Sequence, residues 1–300
     1  MRLTEKIIAA LQKTFDTLVF FATMAAKEDF RNHIVRAGAP DMCPSRRLAI
    51  LGNGPSLAEQ LPRLIEKKEW EEADMMAVNF FALSEEFEVV KPKYYLISDP
   101  MFFRAAGRSE RITNFYKALA KRVNWPMTLY VQYYNPEHFD YAAAIGHNPM
   151  IRIVPFHSTV FHGFRNVEFW CYRRGLGSGN FGTVVQNGEF IGILLGYKTI
   201  ELYGVDHTLL DGLCVDDENR LCRTQSHYYD TTPQAPKPIY YNATNPPRPY
   251  TMHEYLAETA ELFRGHEVLR DWAESEGVSS YGRYESIAIQ STHSRPSAAT

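Results

Sequence analysis

A short apolar run that leads into a glycine-rich turn constrains the fold of this chain most strongly. Leu48–Leu51 is uninterrupted apolar sequence, and Gly-Asn-Gly-Pro-Ser follows at 52–56. Such a run, bounded by turn residues, is typical of a parallel strand covered on both faces. The glycines permit a tight turn, and Pro55 and Ser56 can open a helix whose free N–H groups face an anion. We therefore expect a strand, a turn that can hold a nucleotide, and a helix. An ordinary strand-to-helix turn is the alternative.

The turn does not match the familiar phosphate-binding fingerprints. It lacks the third glycine of the dinucleotide motif, and no Gly-Lys-Ser/Thr follows as in a Walker loop. Asn53 is its unusual member, because its amide group both donates and accepts hydrogen bonds. At the carboxyl end of a strand, Asn53 could therefore contact a base or a ribose edge.

Polar residues also follow the other predicted strands. The strand at 74–81 carries Asn79, the strand at 92–100 carries Asp99, and the strand at 199–206 ends in Asp206. The first three strands follow one another every 20 to 25 residues, the spacing of βαβ units. The sequence therefore predicts an α/β fold with a Rossmann-like, mostly parallel sheet flanked by helices. The polar strand ends would meet at one crevice.

A second glycine-rich turn, at 175–182, precedes an apolar helix that runs through Leu195. Its amides could hold a phosphate, or its glycines could serve close helix packing.

The remaining segments suggest the domain organisation. Residues 3–37 look helical with one apolar side, which favours an N-terminal extension (1–45) that docks on the domain or a partner; an interfacial membrane helix is the alternative. The core spans 46–206, and the proline-rich segment 207–250 is predicted to be a flexible lid. A helix and a weak strand at 251–290 complete the core, and 291–300 is expected to be a disordered tail.

Composition excludes several classes of function. The net charge of −3 over 300 residues provides no basic field for nucleic acid. The four cysteines lie far apart without metal-binding spacing, and no signal peptide is evident, so we expect a cytoplasmic protein with reduced thiols. An Asp-x-Asp pair is missing, and the run Asp216-Asp217-Glu218 is typical of a solvated loop. We therefore expect no metal and no cofactor.

Three ordered segments resemble the bacterial lipooligosaccharide sialyltransferases of glycosyltransferase family 42. They are the turn at 51–57 with Val78-Asn-Phe-Phe81, the turn at 177–179 leading to 195–206, and Ser226-His-Tyr228. Their order and spacing agree over roughly residues 46–230. The resemblance implies one nucleotide-binding domain similar to the GT-A fold, with a lid, which transfers sialic acid from a CMP-activated donor without a metal.

The resemblance also implies roles for individual residues. His227 matches the general base, and Tyr228 and Tyr229 beside it could supply phosphate-binding hydroxyls. Ser178 and Gly179 match the turn on the cytidine side of the donor. The full set of implied donor-binding residues is Asn53, Gly54, Ser56, Asn79, Asp99, Gly177, Ser178, Gly179, Asp206, Thr208 and Tyr229.

The chain departs from the family pattern at several of these positions. Asp99 stands where the family has an asparagine, Gly175 where it has an arginine, and Thr208 where it has a tyrosine. The nearby Arg173 and Arg174 could replace the missing arginine and stabilise the leaving phosphate.

The sequence thus predicts a metal-independent, inverting glycosyltransferase that uses a CMP-activated nonulosonic acid and a cell-surface glycan or glycolipid acceptor, as in lipopolysaccharide biosynthesis. His207 is the rival for the role of base. The alternatives are a pterin pyrophosphokinase-like phosphotransferase, which would need ATP and a metal, and a non-catalytic nucleotide- or glycan-binding module. Peripheral association with the inner face of the cytoplasmic membrane and formation of a homo-oligomer both remain open.

Overall fold

The computed structural model describes residues 3–36, 47–104, 109–224, 228, 235–241 and 246–282. Within these ranges the α-helices are α1 Leu3–Lys27, α2 His33–Arg36, α3 Leu57–Glu66, α4 Phe87–Val90, α5 Glu110–Arg122, α6 Tyr141–Ala144, α7 Arg165–Arg173, α8 Val184–Leu194 and α9 Met252–Ser275. The strands are β1 Arg47–Leu51, β2 Ala73–Val78, β3 Tyr94–Leu96, β4 Met127–Gln132, β5 Ile151–Phe156, β6 Thr199–Tyr203, β7 Leu213–Val215, β8 Leu221–Arg223, β9 Lys237–Pro238, β10 Tyr240–Tyr241, β11 Arg248–Pro249 and β12 Ser279–Gly282. Short 3₁₀ turns follow α3, β2 and β3.

Seven strands form one sheet in the order β12-β6-β1-β2-β3-β4-β5, and every neighbouring pair is parallel. This confirms the predicted α/β fold with a mostly parallel sheet. In the centre, Ile50 of β1 pairs in register with Met76 of β2 and Leu202 of β6.

Helices cover both faces of the sheet. Successive strand residues point to opposite sides, so each strand contributes side chains to both layers of the core. One face packs Leu48 and Ile50 against residues of α1, α7, α8 and α9. The other packs Ala49 and Leu51 against residues of α3 and α5. The wholly buried run Leu48–Leu51 is therefore the centre of a three-layer structure.

The strand order reverses at β1. The chain adds β2 to β5 on one side of β1 and then returns, through α7 and α8, to place β6 on the other side. In open α/β sheets, ligands bind at such a switch point, outside the carboxyl ends of the strands. The turns after β1 and β6 are the two sides of this crevice.

Two segments, 3–37 and 207–250, have more secondary structure elements than the sequence predicts. The helix predicted at 3–37 is two helices, α1 and α2, because the chain turns after Lys27 so that the Glu28 carboxylate accepts the backbone N–H groups of Ser158 and Thr159. The segment 207–250 is not wholly irregular. Its described part contains the antiparallel strands β7, β8 and β9 and the two-stranded ribbon of β10 and β11.

Candidate functional site

A cavity of about 210 Å³ lies at the switch point between β1 and β6. It brings together Asn53, Gly54, Asp206 and Thr208, four of the residues predicted from the sequence. The other polar residues that line it include Thr183, His207, Arg223 and Thr224.

The turn after β1 is locked onto the turn after β6 by backbone contacts. The N–H of Gly52 donates to Tyr203 O at 2.7 Å, and that of Gly54 donates to Gly204 O at 2.8 Å. A Cβ atom on Gly54 would lie 2.7 Å from Gly204 O and 2.1 Å from the Asp206 carboxylate. The turn needs glycine because two backbone segments approach each other closely, which confirms one reason for the motif.

Asp206 occupies the place expected for an anionic ligand. Its Oδ2 accepts the Ser56 N–H at 3.0 Å, at the start of α3. A helix N-terminus favours negative charge, and here a carboxylate of the protein itself supplies it. The amides of Gly54 and Ser56 thus have acceptors within the protein, and binding of a phosphate by this turn stays a prediction.

Two asparagine oxygens at the strand ends remain open to a ligand. Asn53 Nδ2 donates to Val78 O at 3.3 Å, and Asn79 follows directly with a left-handed backbone at φ 50°. The Oδ1 atoms of Asn53 and Asn79 are both buried, and neither has a hydrogen-bond partner among the described residues. Buried polar atoms are almost always satisfied, so two orphaned acceptors at the ends of neighbouring strands point to a missing donor.

Tyr228 connects the predicted lid to this crevice. Its N–H donates to Asn53 O at 3.3 Å, and its ring lies 6.2 Å from the ring of Phe81, centroid to centroid. His227 and Tyr229, which the sequence also assigned to the site, lie outside the described residues.

A buried chain of ionisable side chains begins at His207, which lines the cavity. His207 Nε2 lies 2.7 Å from His266 Nε2 on α9, and His266 Nδ1 lies 3.5 Å from Glu189 Oε1 on α8. Ser280 Oγ of β12 donates to the second Glu189 oxygen at 3.0 Å. His266 and Glu189 are both 1% exposed. Neither was predicted from the sequence as a site residue.

The tautomers of His207 and His266 determine which nitrogen of His207 can act as a base. With a proton on His266 Nδ1, which lies 3.5 Å from Glu189 Oε1, His266 Nε2 accepts the proton carried by His207 Nε2. The lone pair of His207 is then on Nδ1, the nitrogen not engaged in the chain. Burial, and then the neighbouring His266, lower the pKa of His207 to about 3, which keeps the ring neutral.

Arg223 of β8 is the guanidinium at this cavity. Its Nη1 donates to the Tyr255 hydroxyl at 2.6 Å, and that hydroxyl donates to Leu209 O. By contrast, Arg173 Nε donates to Glu276 at 2.6 Å, and Arg174 stacks 4.0 Å from the Trp170 ring. Arg173 and Arg174 thus have partners away from this cavity, and their role at the leaving phosphate stays a prediction.

The second glycine-rich turn lies against α1 and not at the cavity. Gly177 has φ +71°, and a Cβ there would lie 2.6 Å from the Phe20 ring. Ser178 is 3% exposed, its N–H donates to Thr159 O, and its hydroxyl lies within hydrogen-bond distance of Ser158 O and Gly179 O. The turn is packed against protein, as expected if its glycines serve close helix packing and not phosphate binding.

Asp99 and the acidic run at 216–218 have local partners. Asp99 Oδ1 accepts the Met101 N–H at 2.8 Å and caps a 3₁₀ turn. Asp216 pairs with Arg220 at 2.8 Å and closes the turn between β7 and β8. Neither carboxylate lines the cavity.

One group of described residues has metal-ligand chemistry. Ligand atoms of Asp29, His33 and His157 lie within 4.8 Å of one another, beyond the carboxyl end of β5. His157 already has two protein partners, however: its Nε2 is 2.9 Å from Arg31 O and its Nδ1 is 3.0 Å from Glu28 Oε2. Both ring nitrogens of His157 thus lie close to oxygen atoms of the protein.

The chain is similar in structure to the MAf glycosyltransferase from Magnetospirillum magneticum AMB-1. The two share 11% identity with a TM-score of 0.43, over 81% of this chain and 32% of that one. The chain therefore corresponds to about a third of that protein's length. No protein-family model and no curated protein matches the chain. The resemblance to family 42 stays a prediction.

Proposed function

We propose that this protein is a glycosyltransferase that transfers a nonulosonic acid, sialic acid or a relative, from a CMP-activated donor to a glycan acceptor by metal-independent inverting transfer. The observation that carries the proposal is the switch-point cavity, which is lined by Asn53 with its orphaned side-chain oxygen, the guanidinium of Arg223 and the imidazole of His207.

The nucleotide would bind across the ends of β1 and β2. The Asn53 and Asn79 Oδ1 atoms accept hydrogen bonds, so they suit the amino group of cytosine or the hydroxyls of ribose. Tyr228, which is bonded to Asn53 O, would cover the nucleotide from the lid side and help to exclude water.

Arg223 would bind the phosphate of the donor. A guanidinium can bind two phosphate oxygens at once, and the bond to Tyr255 holds one end of the group in place. As the glycosidic bond breaks, negative charge grows on this phosphate, and a fixed positive charge stabilises it.

His207 would be the base that accepts the proton of the acceptor hydroxyl. Its low pKa makes it a weak base by itself, but it can pass its Nε2 proton to His266, whose other nitrogen faces Glu189. The positive charge then resides beside a buried carboxylate. His227, which the resemblance implies as the general base, is the alternative to His207.

A ligand panel tests the binding half of the proposal. Thermal unfolding is followed with CMP, CDP, UDP, GDP and ATP, each with and without magnesium, because a ligand that binds the folded state raises the melting temperature. We expect a selective shift with CMP that EDTA does not remove, and loss of that shift in Asn53→Ala. A shift only with ATP and magnesium would favour the phosphotransferase instead.

A turnover assay tests the catalytic half. Release of CMP from CMP-sialic acid in the presence of a sialic-acid-accepting glycan is followed for the wild type and for Arg223→Ala. The matched control is Arg174→Ala, whose guanidinium stacks on Trp170. If the protein binds CMP but forms no CMP from CMP-sialic acid, the result favours the non-catalytic nucleotide-binding module.

The pH dependence of turnover distinguishes the two histidines. If His207 is the base, the rate stays flat on the acid side down to about pH 5, because its pKa lies near 3. If an unperturbed His227 is the base, the rate falls through an apparent pKa of about 6.5.

A further inference from the structure

The outer face of α1 is a continuous apolar stripe. Six large side chains project from it into solvent, each at least 45% exposed: Ile7, Ile8, Leu11, Phe15, Leu18 and Val19. Of the helix's residues, Phe20 and Met24 are the ones buried in the domain. By length and composition α1 could also cross a membrane.

The stripe has the spacing of a helix–helix seam. Ile8, Leu11, Phe15, Leu18, Ala22 and Ala25 alternate at intervals of three and four, the a and d positions of a heptad repeat. All six are exposed, and the e and g positions beside them carry no charge between 7 and 26: Ile7, Gln12, Thr14, Val19, Phe21 and Ala26. A heptad seam favours a second helix as the partner.

Large side chains occupy the first four positions of this seam, and alanines occupy the last two. Antiparallel pairing with an identical helix places Ile8 against Ala25, Leu11 against Ala22 and Phe15 against Leu18. Each layer then joins an a position with a d position, and the layers at both ends match a large side chain with a small one. Parallel pairing would instead put alanine against alanine at one end and leave a gap.

The charges and the exposed apolar side chains also agree with a second copy. The polar side of α1 carries both signs, Glu5 and Asp16 with Lys6 and Lys13, and so lacks the basic excess of helices that lie on membranes. The six large exposed side chains all occupy a, d, e or g positions of the heptad, so a symmetric pair covers twelve of them at one interface.

We infer that two copies of this chain associate through their α1 helices, packed antiparallel about a two-fold axis near residues 15 and 18. Such an interface is isologous, and opposed helix dipoles favour it. The two catalytic domains lie on the outer sides of the helix pair, because α1 contacts its own domain through the opposite face.

Molecular mass in solution tests the association. Light scattering coupled to size-exclusion chromatography should give twice 34.5 kDa for the wild type. Leu11→Glu should halve that mass, because it places a charge in the seam. Lys6→Glu is the matched control on the same helix, outside the seam, and should stay dimeric. Circular dichroism confirms that both variants are folded, which we expect because both residues are exposed.

Three results of this experiment would overturn the inference. They are a monomeric wild type, a dimer that survives Leu11→Glu, and a monomer that floats with vesicles of phosphatidylcholine and phosphatidylglycerol.

A distance measurement tests the orientation. A spin label is attached at Ile8→Cys in a Cys43→Ser, Cys214→Ser background. The two labels of an antiparallel pair should lie about 25–30 Å apart, because Ile8 of each copy faces Ala25 of the other and 17 residues of helix rise separate these two positions. A separation near 10 Å would mean parallel helices and would overturn the antiparallel arrangement.

Discussion

The two glycine-rich turns of this protein look alike in sequence and differ in what surrounds them. The turn at 52–56 lies between β1 and β6 and lines the switch-point cavity. The turn at 175–182 packs against Phe20 of α1 and the segment 158–161. Both need glycine for close approach, but only the first lies at a place where an open sheet binds ligands. A glycine-rich turn thus indicates that other atoms approach its backbone closely, and its place in the sheet topology determines whether the turn lines a cavity or packs against a helix.

Gly54→Ala should have the largest effect. Its Cβ would meet Gly204 O, which is backbone, and would push against Asp206. We expect the free energy of unfolding to fall by about 1–3 kcal/mol and nucleotide binding to be lost, because the cavity wall itself moves. Urea unfolding and CMP titration measure the two effects. Unchanged CMP binding by Gly54→Ala would mean that this turn is not part of the nucleotide-binding site.

Gly177→Ala should destabilise the protein and leave the site intact. The residue has φ +71°, and a Cβ would displace the Phe20 ring. Strain and overpacking together should cost about 2 kcal/mol of unfolding free energy. At a temperature where the variant is folded, its affinity for CMP should equal that of the wild type. A loss of affinity without a loss of stability would place this turn at the nucleotide, as the sequence implied.

A matched pair of polar truncations sharpens the same contrast. Asn53→Ala should weaken CMP binding by about ten-fold, because its Oδ1 has no partner in the described structure, and should cost at most about 1 kcal/mol of stability for the lost bond from Nδ2 to Val78 O. Ser178→Ala should lower stability by about 1 kcal/mol and leave CMP binding unchanged, since its hydroxyl contacts protein oxygens. Calorimetric titration and thermal unfolding of both variants check the pair, and the opposite assignment of effects would contradict it.

The smallest effect concerns pH and is confined to the second region. Burial lowers the pKa of His157, but the Glu28 carboxylate and the Arg31 carbonyl outweigh it, and the net pKa is raised. A raised pKa means that this contribution to stability is complete below about pH 6.5 and is lost as the pH rises through the higher folded pKa.

Glu28 also holds Ser158 and Thr159, so this loss should loosen the support of the second turn and leave nucleotide affinity unchanged. Unfolding free energies measured across this range should decline for the wild type. They should decline less for His157→Gln, and equal declines would contradict the assignment.

The fold was largely predictable because it follows from local signals. The buried run at β1, the recurring apolar strands and the polar residues that follow them predicted the parallel sheet. They could not predict that the Asp206 carboxylate would reach the start of α3, since that contact joins residues 150 positions apart.

The supporting residues of the site were missed for a related reason. His266 lies 59 positions from its partner His207, and Glu189 is reached only through His266. A signal existed: Glu189 directly precedes the apolar run Phe190–Leu194 of α8, and His266 stands at helical spacing between Leu262 and Leu269. A polar residue at a core position predicts a buried partner, but the sequence does not say which.

Turnover by His207→Gln tests the central claim most directly. Glutamine can still donate a hydrogen bond to His266 but is not a base, so the variant should bind CMP as the wild type does. We predict that release of CMP from CMP-sialic acid falls by about 10²–10⁴-fold, while His227→Gln retains most of the activity. A His207→Gln enzyme with wild-type turnover would contradict the assignment of His207 as the catalytic base.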